Sequence, residues 1–235
     1  MTTKMHWKDR YRSFYYQHAQ IPDLELEPEA TALLVIDIQN TYMDRSEPKG
    51  LSDAELAEYE SWTPFHERMN ETVVPTVQRL LEYFRKASMP VFHARIACLT
   101  PDGVDRSLSQ RRPGFNNLLL PHDEQPSKIY APVGPLEHEI VVTKTTDSAL
   151  TGTNLRLILC NMGIRHVVVC GIFTDQCISS TVRSLADESF NTVVIEDGCA
   201  AGSKELHDKE LEIINNIYCQ VISADDLLQN LKGVS

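Results

Sequence analysis

Four short runs of β-branched and other apolar residues constrain the fold more than any other feature of the sequence. They are ALLVIDI (32–38), EIVVTK (139–144), HVVVCGI (166–172) and TVVIED (192–197), with MPVFHARI (89–96) and CQVIS (219–223) as weaker companions. Their apolar residues are continuous rather than alternating, which is typical of strands buried on both faces of a parallel sheet. The sequence therefore predicts a mainly parallel, six-stranded sheet that is covered by helices.

The segments between these runs have the apolar spacing of amphipathic helices. Residues 65–87 form one such segment, in which Pro75 is tolerable only near a first turn or a kink. Residues 153–162 form a second segment that Gly163 ends, and Ser203 begins a third. This alternation predicts a three-layer, doubly wound α/β fold with right-handed crossovers. Ligands of such folds bind at the carboxyl ends of the strands.

The length of 235 residues is within the range of one α/β domain. We expect an N-terminal arm over residues 1–29 and a single domain over residues 30–235. The arm could pack on a neighbouring subunit, and residues 97–135 form a stretch long enough to cover a substrate. The alternative for both segments is a solvated, variable surface segment.

Composition excludes several classes of partner. The formal net charge is -11 and no long Lys/Arg block occurs, which argues against nucleic acid or an anionic membrane surface. The first twenty residues lack the continuous apolar stretch of a secretion signal, and no run of about 18 apolar residues exists. The six cysteines are widely spaced, as free thiols of a reducing cytoplasm are. We therefore expect a cytoplasmic protein with a small-molecule substrate.

Three chemically reactive residues follow three of the predicted strands. Cys177 lies in a strand, turn and helix pattern near a helix N-terminus, where unpaired N–H groups favour a thiolate. Asp37 and Lys144 each end an otherwise apolar strand. A packing cysteine and structurally paired strand-edge charges are the alternatives. Together, however, the three residues would put a thiol, an acid and a cation at one edge of the sheet.

The motifs around these residues match a known family. They are D-x-Q-N-x-[FY] (Asp37, Gln39, Asn40, Tyr42), the strand-end Lys144, and G-[IV]-x-T-D-x-C (Gly171, Ile172, Phe173, Thr174, Asp175, Cys177). Over roughly residues 30–225 the chain resembles the isochorismatase-like cysteine hydrolase superfamily, which has a Rossmann-like fold. Its members include nicotinamidases, carbamoylsarcosine and ureidoacrylate amidohydrolases, biuret-type hydrolases and isochorismatase. The resemblance implies a Cys-Asp-Lys triad and a homo-oligomer, either a dimer or a tetramer.

The resemblance also implies a role for each residue. Cys177 would be the nucleophile, Asp37 the base that takes its proton, and Lys144 the cation that lowers the thiol pKa. A cis peptide would precede Phe173, and the backbone N–H groups of Phe173 and Cys177 would form the oxyanion hole. Phe173 itself departs from the many relatives that have a small residue there, and its bulk would narrow the pocket.

Five residues are candidates for substrate binding: Gln39, Asn40, Tyr42, Arg95 and Phe173. Tyr42 most resembles the aromatic pocket wall of relatives. Gln39 is either a polar contact or a support for the Asp37 loop. Arg95 is either a substrate clamp or part of a structural ion pair.

We expect no metal and no cofactor. The D-x-H metal motif of nicotinamidases is absent, and His93 has no second histidine at ligand spacing. A dinucleotide-binding module is disfavoured because no G-x-G-x-x-G follows the first strand. The expected function is hydrolysis of a C–N bond in a small amide or ureide through a thioester on Cys177. The alternatives are an isochorismatase-type vinyl-ether hydrolase and a non-catalytic binding protein on the same fold.

Overall fold

The computed structural model describes residues 5–114 and 116–232. Its strands are β1 (Thr31–Ile36), β2 (Val91–Ile96), β3 (Arg111–Arg112), β4 (Asn116–Asn117), β5 (Ile140–Lys144), β6 (His166–Ile172), β7 (Asn191–Ala200) and β8 (Gln220–Ile222). Its α-helices are α1 (Asn40–Met43), α2 (Asp53–Ser61), α3 (Thr63–Arg68), α4 (Val74–Lys86), α5 (Leu155–Asn161), α6 (Ser179–Asp187), α7 (Lys204–Ile214) and α8 (Ala224–Lys232). Two π-helical turns cover Met69–Val73 and Thr174–Ile178, and 3₁₀ turns cover Trp7–Asp9, Phe14–Tyr16, Pro28–Ala30, Leu108–Gln110, Gln125–Ser127 and Ala131–Val133.

The main sheet has six strands in the order β5-β2-β1-β6-β7-β8, and every neighbouring pair is parallel. The chain moves outward from β1 to β5 and then returns to the middle of the sheet to build β6, β7 and β8. The order therefore reverses between β1 and β6, whose residues are all buried. This confirms the predicted doubly wound fold and places its ligand-binding crevice at the carboxyl ends of these two strands.

The predicted helix over residues 65–87 is interrupted by a π-helical turn. α3 ends at Arg68, Met69–Val73 form the π turn, and α4 begins at Val74 with Pro75 in its first turn. Proline has no N–H, so a position in the first turn costs α4 no internal hydrogen bond. The apolar face of α4 is buried, as the spacing predicts; it consists of Val77, Leu80, Leu81 and Phe84.

The N-terminal segment packs on the carboxyl-terminal part of the same chain. The Asn215 side chain donates hydrogen bonds to the carbonyls of Arg10 and Tyr11, at 3.1 and 2.9 Å. The Arg10 guanidinium forms ion pairs with Glu196 and Asp226. Packing of this arm on a second subunit stays a prediction.

Within residues 97–135, the described part of the chain has short elements, β3, β4 and 3₁₀ turns, and is held by its own contacts. The Arg106 guanidinium donates hydrogen bonds to the carbonyls of Gly103, Gln110 and Leu118. The backbone N–H of Ser107 donates to the carbonyl of Thr145, which follows β5, at 3.1 Å. The segment is thereby attached to the edge of the sheet where β5 ends.

In the part of the chain that the structure describes, no helix combines the length and apolar character needed to span a bilayer.

Candidate active site

Asp37, Lys144 and Cys177 meet at the carboxyl ends of β1, β5 and β6. The Lys144 Nζ lies 2.7 Å from Asp37 Oδ2 and 3.2 Å from Cys177 Sγ. It also donates a hydrogen bond to the carbonyl of Thr146 at 3.2 Å. The exposed fractions of Asp37, Lys144 and Cys177 are 2%, 1% and 6%. The structure thus brings together the three residues that the sequence indicates, with the ammonium between the carboxylate and the sulfur.

Local backbone geometry brings these residues together. Asp37 directly follows β1 with a positive φ of 55°, and Lys144 is the last residue of β5. Cys177 lies in the π turn that follows β6 and leads into α6. Gly171 has a φ of 122°, and a Cβ atom there would lie 2.0 Å from the Ile36 carbonyl oxygen. A glycine is therefore required where β6 passes the end of β1.

Burial determines the protonation state of the group. It raises the pKa of Cys177 well above the ordinary 9.0; the charge of Asp37 adds to this, and Lys144 opposes it only in part. Burial also raises the pKa of Asp37, against the attraction of Lys144. Burial lowers the pKa of Lys144, but the charges of Asp37 and Cys177 outweigh it and the net shift is upward. Burial therefore favours a neutral thiol, and the short Lys144–Asp37 distance places an ion pair beside it.

This state differs from the thiolate expected at a helix N-terminus beside a lysine. The reason is that the sulfur is buried. The free energy needed to transfer the thiolate charge out of water exceeds the stabilisation that the attraction of one cation provides. Lys144 does lower the thiol pKa, as expected, but it does not set the net shift. The sulfur consequently needs a proton acceptor at the moment of attack.

A cis peptide bond and two backbone hydrogen bonds shape the turn that carries Cys177. The peptide bond between Ile172 and Phe173 is cis, as the resemblance implies. The carbonyl of Phe173 accepts hydrogen bonds from the backbone N–H groups of Gln176 and Ile178, at 3.0 and 3.2 Å. The backbone N–H groups of Phe173 and Cys177 belong to the same bend, and their role as an oxyanion hole stays a prediction.

A buried relay supports the same turn from behind. The Thr174 Oγ1 lies 2.7 Å from His207 Nδ1, and the Arg68 guanidinium lies 2.9 Å from His207 Nε2. Burial, together with the charge of Arg68, lowers the pKa of His207 to about 3. A guanidinium can only donate, so the neutral imidazole accepts at Nε2 and donates from Nδ1 to Thr174. The sequence motif that includes Thr174 is thereby tied to α7.

Three aromatic rings surround Phe173. Its ring centroid lies 5.3 Å from that of Tyr42, 5.1 Å from Phe65 and 6.0 Å from Trp62. Tyr42 and Phe173 meet as the sequence suggests, but no local pattern marks Trp62 and Phe65 as their neighbours. Trp62, with 40% of its surface exposed, is the ring of this group that reaches solvent most. The rings form an aromatic wall, in which Phe173 directly precedes the turn that carries Cys177 and Tyr42 is within reach of the charge of Cys177.

Residues 31–226 match the sequence profile of the isochorismatase domain. This chain therefore belongs to the isochorismatase family. It is 30% identical over 209 residues to the uncharacterized isochorismatase family protein YddQ of Bacillus subtilis, an alignment that covers 85% of this chain and 99% of the relative.

Two further proteins share sequence or fold with the chain. N-carbamoylsarcosine amidase of an Arthrobacter species is 27% identical over 188 residues, covering 74% of this chain and 68% of the amidase. The structure of an isochorismatase family protein from Burkholderia thailandensis superposes with a TM-score of 0.71 at 25% identity. That superposition covers 91% of this chain and 100% of the other.

The polar residues of the first family motif are bound to the backbone. Gln39 is fully buried; its Nε2 donates to the carbonyls of Ile96 and Ser127 at 2.9 Å each, and its Oε1 accepts from the Ile96 N–H at 2.9 Å. The Asn40 side chain donates to the Gln125 carbonyl at 2.9 Å. Of the two alternatives for Gln39, the geometry favours support of the Asp37 loop. Asn40 likewise anchors this loop to residues 125–128.

The Arg95 guanidinium contacts groups of the protein, and its roles as a substrate clamp or in an ion pair stay predictions. Its Nε donates to Thr143 Oγ1 at 3.2 Å and its Nη1 donates to the carbonyl of His122 at 3.0 Å. These contacts make it a brace for the segment after β4. His93 is fully buried, with its Nε2 3.4 Å from a Glu139 oxygen. No group of three or more potential metal-ligating side chains occurs among residues 5–114 and 116–232.

A second carboxylate lies beside the thiol. Asp147 Oδ1 is 3.8 Å from Cys177 Sγ and accepts a hydrogen bond from Gln110 Nε2 at 2.7 Å. Neither residue belongs to the family motifs found in the sequence. The only signal that could have indicated Asp147 is its position three residues after Lys144, in the loop that leaves the same strand.

Proposed function

We propose that this isochorismatase-family chain is a cysteine-dependent hydrolase that cleaves the C–N bond of a small amide or ureide. The observation that carries the proposal is the Lys144 ammonium between Asp37 and Cys177, at 2.7 and 3.2 Å, in a buried site. A carboxylate, a cation and a thiol in mutual contact are the parts that an activated sulfur nucleophile needs.

The reaction begins with loss of the thiol proton to Asp37. The sulfur of Cys177 then forms a bond to the substrate carbonyl carbon, and the carbonyl oxygen gains the negative charge. Collapse of this intermediate breaks the C–N bond, and the departing nitrogen takes the proton from Asp37. Water then attacks the thioester with loss of a proton to Asp37, and the C–S bond breaks with return of that proton to the sulfur.

The elevated pKa of Asp37 suits this task, because a carboxylate with a raised pKa is a stronger base. Lys144 stays protonated throughout and stabilises the sulfur anion as it forms. The backbone N–H groups of Phe173 and Cys177 are proposed to donate to the carbonyl oxygen as it becomes an anion.

The aromatic wall supports a small and planar substrate. Tyr42, Trp62, Phe65 and Phe173 bring four rings into one group, and flat amide or carbamoyl groups stack on such rings. The name of the relative N-carbamoylsarcosine amidase supports a ureide among these substrates. Peptides and long acyl chains are expected to be excluded.

Intact-mass spectrometry of enzyme quenched during turnover tests the proposal. The panel consists of ureides, simple amides and isochorismate, with Cys177→Ala as the control. The expected result is an acyl or carbamoyl adduct on Cys177 with an amide or a ureide, and no adduct in the control. Turnover of isochorismate alone without an adduct would instead establish the vinyl-ether alternative. Absence of any turnover, with an inert thiol, would indicate a binding protein.

A further inference from the structure

Two carboxylates lie beside the Cys177 sulfur, and their surroundings differ. Asp37 is buried and paired with the Lys144 ammonium. Asp147 is only half-buried and accepts from Gln110, whose amide is neutral. The Lys144 cation therefore compensates the charge of Asp37, whereas the neutral Gln110 amide does not compensate the charge of Asp147.

The charges around the thiol consequently sum to a negative site. Asp37 and Lys144 cancel, and Asp147 adds one negative charge 3.8 Å from the sulfur. The electrostatics agree, since the Asp147 charge contributes to the raised pKa values of both Cys177 and Tyr42. Arg95, the cation that the sequence suggests for substrate binding, is bound to Thr143 and to a backbone carbonyl.

Asp147 also retains capacity to bind a ligand. A carboxylate has about four lone-pair positions, of which the Gln110 amide and the Cys177 thiol use two. Gln110 is itself fixed, because its carbonyl accepts from Arg106 and because the nearby Ser107 is bonded to the Thr145 carbonyl. The carboxylate is therefore held in one orientation beside the nucleophile.

We propose that Asp147, oriented by Gln110, determines substrate specificity by binding a cationic or N–H-donating group next to the scissile carbonyl. The substrate class is thus a cationic or neutral amide or ureide, and carboxylate-bearing substrates are repelled. This inference rests on the proposed function, because it assigns the substrate of the same thiol.

The first test compares three amides of similar size: glycinamide, which is cationic, propionamide, which is neutral, and malonamate, which is anionic. The wild-type kcat/KM should fall in that order, by about ten- to a hundredfold from cation to anion, as expected for a hydrogen bond to a charged group. Asp147→Asn should remove most of this preference. The charge-matched control Asp187→Asn, at an exposed position at the end of α6, should retain it. Equal loss on all three amides in Asp147→Asn would overturn the inference and assign the residue a structural role.

The second test does not depend on amide turnover. Cys177 is modified with 2-aminoethyl or 2-sulfonatoethyl methanethiosulfonate, which are cationic and anionic, and the exposed Cys160 serves as the internal reference in peptide mapping. The ratio of cationic to anionic modification rates at Cys177 should be several-fold higher than at Cys160 and should decrease in Asp147→Asn. An unchanged ratio in the variant would overturn the inference. A decreased ratio in a protein that hydrolyses no amide would retain the charge preference and reject the proposed function.

Discussion

Two buried groups at opposite ends of β5 are built from the same three kinds of side chain. At the carboxyl end, Asp37, Lys144 and Cys177 combine a carboxylate, a cation and a neutral titratable group. At the amino end, Glu139, Arg85 and His93 do the same. The two groups contain equivalent kinds of side chain, yet the pKa of the carboxylate is shifted in opposite directions, so the cause must lie in the surroundings.

The two carboxylates differ in burial and in the cation that they contact: Asp37 is buried against a lysine, whereas Glu139 is partly buried against a bidentate arginine. Glu139 accepts two hydrogen bonds from the Arg85 guanidinium at 2.8 Å each and one from the Leu136 N–H at 2.9 Å. Burial raises the pKa of Glu139, but these hydrogen bonds outweigh it and the net shift is downward. The pKa of Asp37 is raised, because its burial outweighs the charge of Lys144 and the hydrogen bonds that the carboxylate accepts. A carboxylate whose hydrogen bonds outweigh its burial is a stable ion, whereas one whose burial outweighs them is a stronger base.

Removing each carboxylate charge in turn should give the largest difference in activity between the two groups. We expect Asp37→Asn to lower kcat for amide hydrolysis by roughly four orders of magnitude, as loss of one member of a catalytic group does. Glu139→Gln should leave kcat almost unchanged, because that carboxylate touches no reacting atom. Ammonia release under identical conditions measures both. Retention of more than about a tenth of the activity by Asp37→Asn would reject its role as the base.

Removing the cation from the group at the amino end of β5 should lower the free energy of unfolding of the protein. Arg85→Met leaves the Glu139 carboxylate buried without its cation, and we expect the free energy of unfolding to fall by about 2–3 kcal/mol. This is less than the cost of breaking a fully buried pair, because 27% of the Arg85 side chain is exposed. Urea denaturation measures the change, and the double variant Arg85→Met/Glu139→Gln should recover part of it. A double variant no more stable than Arg85→Met would contradict an uncompensated charge as the cause.

The pH dependence of catalysis tests the raised pKa of Asp37 at the carboxyl end of β5. Asp37 must be ionised to accept the thiol proton, so kcat/KM should decrease as the pH falls through its pKa. Because that pKa is raised above 3.8, this acid limb should lie above the range of an ordinary carboxyl group. Glu139→Gln should leave the limb in place. An activity that stays constant down to the pH of unfolding would show that the base is another group.

The last prediction concerns the pH dependence of stability that His93 contributes. Burial lowers the pKa of His93 to about 4, from 6.5. Between these two pH values His93 is protonated in the unfolded chain but neutral in the folded chain. The contribution of His93 to stability is therefore fully present above pH 6.5 and is lost as the pH falls toward 4. The slope from one such histidine is about 1.4 kcal/mol per pH unit at most.

Urea denaturation of the variant His93→Leu between pH 7 and pH 4 measures this contribution. The slope should be reduced relative to the wild type, although His207, with its pKa of about 3, acts in the same direction and keeps some dependence. The variant His138→Leu, at an exposed histidine, is the matched control. Equal slopes in wild type and His93→Leu would contradict the lowered pKa of His93.

The sequence by itself determined the sheet and the chemical identity of the site. Continuous apolar runs predict strands buried on both faces, and the six strands lie where those runs do, although β7 continues beyond residue 197 to Ala200. Asp37, Lys144 and Cys177 could be identified because each lies at or after the end of a strand, and parallel strands end at one edge. These signals are local, and local patterns are what a single sequence records directly.

The tertiary structure decided how that site behaves. The thiol is neutral because burial, which depends on the whole fold, outweighs the nearby lysine. Gln39 supports a loop because carbonyls 57 and 88 positions away in sequence face its amide. Gln110 reaches Asp147 across 37 positions, and Trp62 reaches Phe173 across a still larger separation. Solvation and packing between such distant segments have no counterpart in local spacing, and they set both the acidity of the thiol and the charge that a substrate meets.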